Sequence, residues 1–229
     1  MTRLQAKVAL VTGGSSGIGE ACARALAAEG AAVVACGRRY ALGGLAMPRP
    51  GEVDHVHLDV TEHAAVEQLF AMLPPLDILV CSHGTGTFAP VADTSPADLR
   101  AMLEVHVVGT HACMRAALRR MQPRGGGHIV VIGSHAVHHA FPECGGYTAA
   151  KAGQVALARV LAAESRAHGI RVTTLLPGAT DTPIWDDRPG FDRLKMMKPA
   201  DLAGLVVELV ARPGLAVDEL VVTPPAGVL

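Results

Sequence analysis

Two side chains that can move a proton stand one helical turn apart in the second half of the chain. Tyr147 and Lys151 are four residues apart in the run Gly-Gly-Tyr-Thr-Ala-Ala-Lys-Ala-Gly, and on a helix this spacing places both on one face. A phenol has an ordinary pKa of about 10, and a nearby cation favours its phenolate form. We therefore expect Lys151 to lower the pKa of Tyr147 and to make the tyrosine an acid–base group.

A glycine-rich turn near the start of the chain has the features of a phosphate-binding element. The apolar residues 8–11 lead into Thr12-Gly13-Gly14-Ser15-Ser16-Gly17-Ile18-Gly19, and an alanine-rich stretch follows to about Glu29. Glycines let the main chain approach a ligand closely, and the free N–H groups of a helix start attract a phosphate. The spacing departs from the commoner Gly-x-Gly-x-x-Gly, but strand, turn and helix follow in the order that dinucleotide binding requires.

Ser134 is a third candidate for chemistry. It follows the apolar run 128–133 and precedes Tyr147 by thirteen residues. In a parallel sheet, ligands bind outside the carboxyl ends of the strands. Ser134 and the glycine-rich turn are therefore predicted to open on the same crevice.

These motifs, in this order, resemble the short-chain dehydrogenase/reductase family in its short form. The resemblance covers nearly the whole chain and includes two further motifs, Asp59-Val60 and Pro177-Gly178-x-x-x-Thr182. It implies an oxidoreductase that moves a hydride between NADP(H) and a small carbonyl or alcohol substrate. Tyr147 would then be the general acid or base, Ser134 would donate a second hydrogen bond to the same oxygen, and Lys151 would bond the nicotinamide ribose.

The same resemblance implies a set of cofactor-binding residues. They are Thr12, Gly13, Ser15, Ser16, Gly17, Ile18, Gly19, Arg38, Arg39, Asp59, Val60, Ser82, His83, Gly84, Tyr147, Lys151, Pro177, Gly178, Thr180 and Thr182. Within this set, Asp59 would meet the adenine and Val60 would pack on its ring.

The end of the second predicted strand bears on the choice of cofactor. An acid there would bond the adenosine ribose and repel a 2'-phosphate, but this chain has Gly37-Arg38-Arg39. A guanidinium matches the geometry of a phosphate. The family resemblance then implies that Arg38, together with Ser15, would hold the 2'-phosphate of NADP(H), with NAD(H) as the alternative cofactor.

Two positions depart from the family pattern. Cys81-Ser82-His83-Gly84 stands in place of Asn-Asn-Ala-Gly, and His106 stands in place of an Asn that completes a catalytic tetrad. That Asn acts partly through its main-chain carbonyl, which any residue keeps, so we expect His106 to be structural. The alternative is that its imidazole transfers protons.

Two other functions share features with this sequence. The two lost asparagines suggest a catalytically weak sensor or scaffold protein that binds the cofactor. A nucleotide-sugar epimerase or dehydratase shares the Tyr–Lys pair, but it needs a C-terminal substrate domain that this sequence is not expected to contain.

Seven short β-rich runs alternate with helical stretches. They predict one α/β domain over residues 1–229, a doubly wound Rossmann-type fold in which a seven-stranded parallel sheet carries helices on both faces. The predicted strands are residues 7–11, 32–36, 53–58, 76–81, 128–133, 171–176 and 219–223. Ser95 and Pro96 begin a helix that runs towards Met121, whereas residues 38–51 contain too much Gly and Pro for a full crossover helix.

One long loop and one long helix carry further expectations. The loop 182–199 should cover the substrate, with Trp185 and Phe191 either contacting it or packing on the protein. The helix 147–168 is rich in Ala and Leu on more than one face, which is more apolar surface than one sheet contact needs. Because the resemblance places this helix in a subunit interface, we expect a homo-oligomer, a tetramer rather than a dimer, with the apolar end 220–229 contributing.

Composition excludes several classes of protein. A net charge of −1 with scattered basic residues argues against nucleic acid as a partner. The first residues lack the apolar core of a secretion signal, and no apolar run is long enough to cross a membrane, so we expect a cytoplasmic protein without a membrane partner. Five widely spaced cysteines predict reduced, buried thiols.

Histidines are abundant near the predicted crevice. They are His83, His106, His135, His138 and His139. The run His135-x-x-His138-His139 has no cysteine or acid at ligand spacing, so hydrogen-bonded or solvated histidines are expected there and no metal.

Overall fold

The chain forms one seven-stranded parallel sheet with helices on both faces. The computed structural model describes residues 2–188 and 190–227. The strands are β1 (Val8–Thr12), β2 (Ala32–Gly37), β3 (Val53–His57), β4 (Ile78–Cys81), β5 (Gly127–Ile132), β6 (Ile170–Pro177) and β7 (Glu219–Val222). Their order in the sheet is β3-β2-β1-β4-β5-β6-β7, and every pair is parallel. This confirms the predicted Rossmann-type arrangement.

Six α-helices in the described residues flank the sheet. They are α1 (Gly17–Ala28), α2 (His63–Met72), α3 (Pro96–Leu103), α4 (Thr110–Met121), α5 (Gly145–Ser165) and α6 (Pro199–Val210). On one face, α2, α4 and α5 bury a core around Phe70, and on the other α1 and α6 bury a core around Leu26. Because both faces are covered, central strands such as β1 are apolar without alternation.

The crevice arises where the chain reverses direction across the sheet. β1 lies between β2 and β4, because the chain first winds outwards to β3 and then returns to the other side of β1. Thr12 at the end of β1 is level with Cys81 at the end of β4. The turns that follow these two strands therefore separate and leave a crevice at the carboxyl ends, which is the usual ligand site of such sheets.

The helix predicted from Pro96 towards Met121 is not a continuous α-helix. Ser95 caps its start, since its side chain accepts a hydrogen bond from the Asp98 N–H at 3.1 Å. A π-helical turn, Glu104–Gly109, then separates α3 from α4. Periodicity in a sequence does not distinguish a single π-helical turn from the α-helical turns around it, because the helix continues through the wider turn. The π turn carries His106, which is 1% exposed.

Other sequence expectations can be compared directly with the fold. Residues 38–51 contain no helix, so the crossover between β2 and β3 is abbreviated as predicted. All five cysteines are buried and unpaired, again as predicted. No helix in the described part of the chain has both the length and the apolar character that crossing a membrane requires.

Candidate functional site

A cavity of about 850 Å³ opens at the carboxyl ends of the strands. The glycine-rich turn, the ends of β2, β4, β5 and β6, and the loop after β6 line it. All the predicted site residues except Thr12 and Gly19 lie on its wall. Thr12 is fully buried, and Gly19 packs against the main chain of Gly13, so these two residues shape the turn from behind.

The glycine-rich turn leaves no room for side chains at two positions. Gly13 has a φ of +68°, and a Cβ there would lie 2.6 Å from the main-chain nitrogen of His83. A Cβ at Gly19 would lie 2.3 Å from the carbonyl oxygen of Gly13. Ser16, the residue before α1, makes no side-chain cap. The turn therefore brings bare main chain and the N-terminus of α1 to the cavity wall.

Arg39, the neighbour of Arg38, is the arginine that bonds to the serines of the glycine-rich turn. The Nε of Arg39 donates to the Ser15 hydroxyl at 3.2 Å, and its Nη2 contacts the Ser16 hydroxyl. Arg38 is also exposed on the cavity wall, and its charge acts on Asp59. The two arginines follow β2 in a turn, where consecutive side chains leave the main chain in different directions. The sequence alone does not say which one meets the serine.

Ser134, Tyr147 and Lys151 come together at the floor of the cavity. Ser134 begins the short helix His135–Val137, and its Oγ accepts a hydrogen bond from the Ala136 N–H at 3.2 Å. The Nζ of Lys151 lies 6.0 Å from the ring centroid of Tyr147. Tyr147 also contacts Phe88, with the ring centroids 5.4 Å apart.

The expectation that Lys151 lowers the pKa of Tyr147 is wrong in this structure. Burial raises the pKa of Tyr147 to about 12, and the nearby Ser134 hydroxyl opposes that rise. Burial also lowers the pKa of Lys151 to about 7. Desolvation disfavours the charged form of both groups, and the ammonium nitrogen is 6.0 Å from the centroid of the phenol ring. The phenol is therefore protonated at neutral pH.

Lys151 is only 5% exposed, and its ammonium group has two fixed acceptors. Nζ donates to the carbonyl oxygen of Ile132 at 2.8 Å and to Oε1 of Gln154 at 3.0 Å. An ammonium has three N–H donors, so one remains beyond these two bonds. Gln154 belongs to none of the motifs seen in the sequence, although it lies three residues after Lys151 on the same helix face.

His106 braces the loop that follows β4. Its Nε2 lies 2.6 Å from the carbonyl oxygen of Thr85, whereas its Nδ1 is buried without a partner. The Thr85 N–H also lies 3.2 Å from Nε2, but we assign the proton to Nε2 because its contact with the carbonyl oxygen is the shorter of the two. The ring meets Tyr147 edge-on at 5.7 Å, and a Cβ at Gly84 would lie 2.8 Å from it. Burial, with a contribution from Lys151, lowers the pKa of His106 to about 3.

Aromatic side chains from two segments form one wall of the cavity, opposite Ser134 and Lys151. The guanidinium of Arg188 lies 4.0, 5.4 and 5.2 Å from the ring centroids of Phe88, Trp185 and Phe191. Trp185 and Phe191 also pack on each other at 4.6 Å. All four line the cavity, so the loop aromatics both pack together and face the ligand space. Trp185 and Phe191 were expected in this role from their place in the loop 182–199, whereas Phe88 comes from another segment of the chain.

The histidine run after Ser134 behaves as hydrogen-bonding and stacking side chains. His138 pairs with Glu219 through Nε2 at 3.0 Å, and His135 stacks on His139 with the ring centroids 6.0 Å apart. Within residues 2–188 and 190–227, no three or more His, Cys, Asp or Glu side chains are grouped so as to hold a metal ion.

Comparisons with known proteins agree on one family. A family model described as short chain dehydrogenase matches residues 7–190. The (-)-isopiperitenol/(-)-carveol dehydrogenase of Mentha piperita is 36% identical over 192 residues, covering 80% of this chain and 72% of that protein. The 2-dehydro-3-deoxy-L-rhamnonate dehydrogenase (NAD(+)) of a Sphingomonas species is 33% identical over 220 residues, covering 91% and 87%.

A solved structure gives the same result. An alcohol dehydrogenase from the archaeon Thermococcus sibiricus, complexed with 5-hydroxy-NADP, is 29% identical to this chain and matches it with a TM-score of 0.81. The match covers 94% of this chain and 95% of that one. Between them, the similar proteins include one named for NAD(+) and one solved with an NADP derivative.

The burial of His106 gives a prediction about its ionisation. Its pKa of about 3 lies below the ordinary value of about 6.5, so the ring should stay neutral from pH 8 down to about pH 5. Histidine ¹H–¹⁵N NMR spectra recorded across this range should show the Nε2–H tautomer without a titration step. His106→Asn removes the signal and so assigns it. A midpoint between pH 5 and 8 would show that the imidazole can exchange protons at working pH, contrary to its structural role.

Proposed function

Because the chain belongs to the short-chain dehydrogenase family, we propose that it is an NADP(H)-dependent oxidoreductase acting on a small carbonyl or alcohol substrate, with Tyr147 as the general acid or base. The observation that carries the proposal is the placement of Ser134, Tyr147 and Lys151 on the same cavity as the glycine-rich turn. A sensor or scaffold protein would need the cavity but would have no need of these three side chains at its floor.

The residues present fit a phosphorylated dinucleotide. Only glycine fits at position 13, because its main chain lies close to that of His83. The turn therefore has no side chain at this position to block a phosphate at the start of α1. Arg39 and Arg38 supply guanidinium groups beside Ser15 for a 2'-phosphate. NADP(H) is therefore preferred to NAD(H) in this proposal.

The remaining cofactor contacts follow the cavity wall. Asp59 and Val60 would meet the adenine, and the segment with Pro177, Gly178 and Thr182 would meet the amide of the nicotinamide. Lys151, with its two fixed acceptors, keeps one N–H donor for a ribose hydroxyl. Each of these residues lines the cavity, and their roles as cofactor ligands are part of the proposal.

The nicotinamide supplies or accepts the hydride when it is bound. Tyr147 donates its hydroxyl proton to the carbonyl oxygen of the substrate, and the Ser134 hydroxyl donates a second hydrogen bond to that oxygen. Burial raises the pKa of Tyr147 to about 12, so the protonated form needed for carbonyl reduction is the one present at neutral pH. In alcohol oxidation the same group, as the phenolate, would accept the proton of the substrate hydroxyl.

The exposed face of α5 supports a homo-oligomer, with a tetramer favoured over a dimer. Small apolar side chains recur on it at intervals of three and four residues, namely Ala149, Ala152, Ala156, Val160 and Ala163, all exposed. Val160 is 57% exposed and Val108, on the π turn, 37%. The apolar end 220–229 was expected to contribute as well, and its last two residues, 228 and 229, lie outside the described part of the chain.

Tyr147→Phe tests the assigned general acid. The substitution keeps the ring but removes the proton, so kcat for ketone reduction with NADPH should fall by about a hundredfold to ten-thousandfold, while the dissociation constant of NADPH stays within a few-fold. The matched control is Tyr40→Phe, which removes the only other phenol, bonded to the Gly14 carbonyl at 2.7 Å. Its kcat should change only a few-fold. Turnover of Tyr147→Phe close to that of the parent would refute the mechanism.

Arg39→Asp and Arg38→Asp test the choice of cofactor. Replacing a guanidinium at the 2'-phosphate by a carboxylate should weaken NADPH binding by about tenfold to a hundredfold or more, with the larger effect at Arg39. NADH binding should be unchanged or tighter. Quenching of Trp185, the single tryptophan, which lines the cavity, measures both dissociation constants. Arg100→Asp makes the same change of charge at an exposed position on α3 and is the control. A parent that binds NADH more tightly than NADPH would contradict the proposal.

Light scattering tests the assembly. At micromolar concentration the parent should have about four times the 23.7 kDa mass of one chain. Ala156→Glu places a charge in the middle of the exposed face of α5 and should yield smaller species, because a buried unpaired charge is costly. Ala97→Glu, on the exposed first turn of α3, should leave the mass unchanged. A parent with the mass of a single chain would show that this face is not an interface.

A further inference from the structure

A continuous series of buried hydrogen bonds runs from Lys151 across the interior of the molecule. Its links are Lys151 Nζ to Gln154 Oε1 at 3.0 Å, Gln154 Nε2 to Thr110 Oγ1 at 2.8 Å, Thr110 Oγ1 with His83 Nε2 at 3.1 Å, and His83 Nδ1 with Thr12 Oγ1 at 2.6 Å. These residues come from α5, α4, the turn after β4 and the end of β1. We call the series the Lys151 chain.

Every member of the Lys151 chain is buried. Thr12, Thr110 and Gln154 are 0% exposed, and His83 is 7% exposed. A buried polar group without a partner is costly, yet each nitrogen and oxygen named above has one. The Thr12 hydroxyl donates to the Val80 carbonyl oxygen at 3.3 Å, so Nδ1 of His83 carries the proton and donates to Thr12, while Nε2 accepts from the Thr110 hydroxyl. The residues are therefore held in place by one another.

We propose that Gln154, Thr110 and His83 are positioning residues, which fix the ammonium group of Lys151 beneath Tyr147 through this buried series of hydrogen bonds. The proposal rests on the proposed function, in which Lys151 serves the catalytic tyrosine and the nicotinamide ribose.

The orientation of the Gln154 amide is the central element. Its Oε1 faces the ammonium while its Nε2 donates to Thr110. A reversed amide would place its NH₂ group against the Lys151 ammonium, with two donors facing each other. Thr110 has His83 as its second partner, so its hydroxyl is fixed as the acceptor for Gln154 rather than turned towards another group.

The Lys151 chain transmits position and not protons. The Gln154 amide has no proton that it can release at ordinary pH, so a proton cannot pass from Lys151 to Thr110. Burial, with a contribution from the Lys151 charge, lowers the pKa of His83 to about 3, so the imidazole stays neutral as well. A positioning role is what remains for these groups.

Among the titratable groups around Lys151, Cys81 alone acts to raise the pKa of the lysine, and burial outweighs it. The ones that face it are Cys81, His83, His106 and Tyr147. Burial raises the pKa of Cys81 to about 12, so its thiol is neutral, as are the two imidazoles and the phenol. In the described part of the chain, the Ile132 carbonyl and the Gln154 amide are therefore the groups that stabilise the ammonium.

Thr110→Val tests the proposal by removing the middle hydroxyl with little change of shape. The control is Thr173→Val, which changes a 1% exposed threonine that is also bonded to a histidine, His128, at 2.8 Å. Thr173 is no part of the Lys151 chain.

The protein has four lysines, and Lys7, Lys195 and Lys198 have exposed side chains. The ¹³Cε NMR signal of Lys151 can therefore be followed in the full chain and assigned with Lys151→Met.

In the parent, the Lys151 signal should titrate with a pKa of about 7. Thr110→Val should lower that value, because the freed Gln154 amide no longer holds its oxygen against the ammonium. kcat should fall by about tenfold, with a smaller change in the KM of the carbonyl substrate. Thr110→Ser, which keeps the hydroxyl, should restore both readouts, and Thr173→Val should match the parent in both.

Two results would overturn the proposal. One is a Lys151 titration in Thr110→Val that equals that of Thr173→Val. The other is an altered titration with an unchanged kcat, which would mean that the position of the ammonium does not matter for turnover. If Thr110→Val does not fold, Gln154→Glu provides the decisive measurement, because a carboxylate at this position should raise the pKa of Lys151 by at least about one unit, and an unchanged value refutes the contact.

The NMR measurement does not depend on turnover. If the titrations shift as expected while Tyr147→Phe remains fully active, the proposed function fails and the Lys151 chain stands as a structural feature. If Tyr147→Phe is inactive and the titrations do not shift, the function stands and the positioning role fails.

Discussion

The buried ammonium group of Lys151 is the constraint on which the site depends. A charge that is taken out of water needs close acceptors, and here they come from the last residue of β5 and from Gln154 on α5. The bonds that follow reach α4, the turn after β4 and the end of β1. Five elements must therefore meet with their polar groups in register. The parallel sheet with its chain reversal between β1 and β4 is what brings their ends to one place.

The close approach of Gly84 to residue 106 explains how a histidine is accommodated there. An imidazole is larger than the amide of the family pattern, and it fits because Gly84 has no side chain where the ring lies. The π turn Glu104–Gly109 supplies the wider helical geometry at this residue, and such turns often occur at functional sites. The ring then holds Thr85 and meets Tyr147 edge-on. The main chain at Gly84 and in the π turn leaves room for the histidine ring.

Much of this arrangement could be predicted from the sequence, because it is encoded locally. The seven strands and the glycine-rich turn follow from short-range patterns, and the spacing of Tyr147 and Lys151 from helical periodicity. Other features depend on contacts that no local pattern records. Whether Arg38 or Arg39 meets Ser15 depends on the turn after β2, and the contact of His83 with Thr110 joins residues far apart in the chain. The pKa of Tyr147 was predicted with the wrong sign because burial raises it, and the spacing of Tyr147 and Lys151 carries no information on burial.

Burial separates the cavity into two electrostatic regions. At the rim, Arg38 and Arg39 are exposed and charged, which suits the phosphates of a cofactor because the contact can form without first removing a buried charge. At the floor, the side chains of Tyr147, His106 and His83 are neutral at pH 7, and Lys151, with a pKa of about 7, is close to half ionised. In a region of low polarity, fixed dipoles act more strongly on a developing charge than they would in water. The Ser134 hydroxyl and the Gln154 amide can therefore influence proton transfer more than their modest polarity suggests. At the floor of the cavity, the positions of these dipoles therefore matter more for proton transfer than the number of charged side chains.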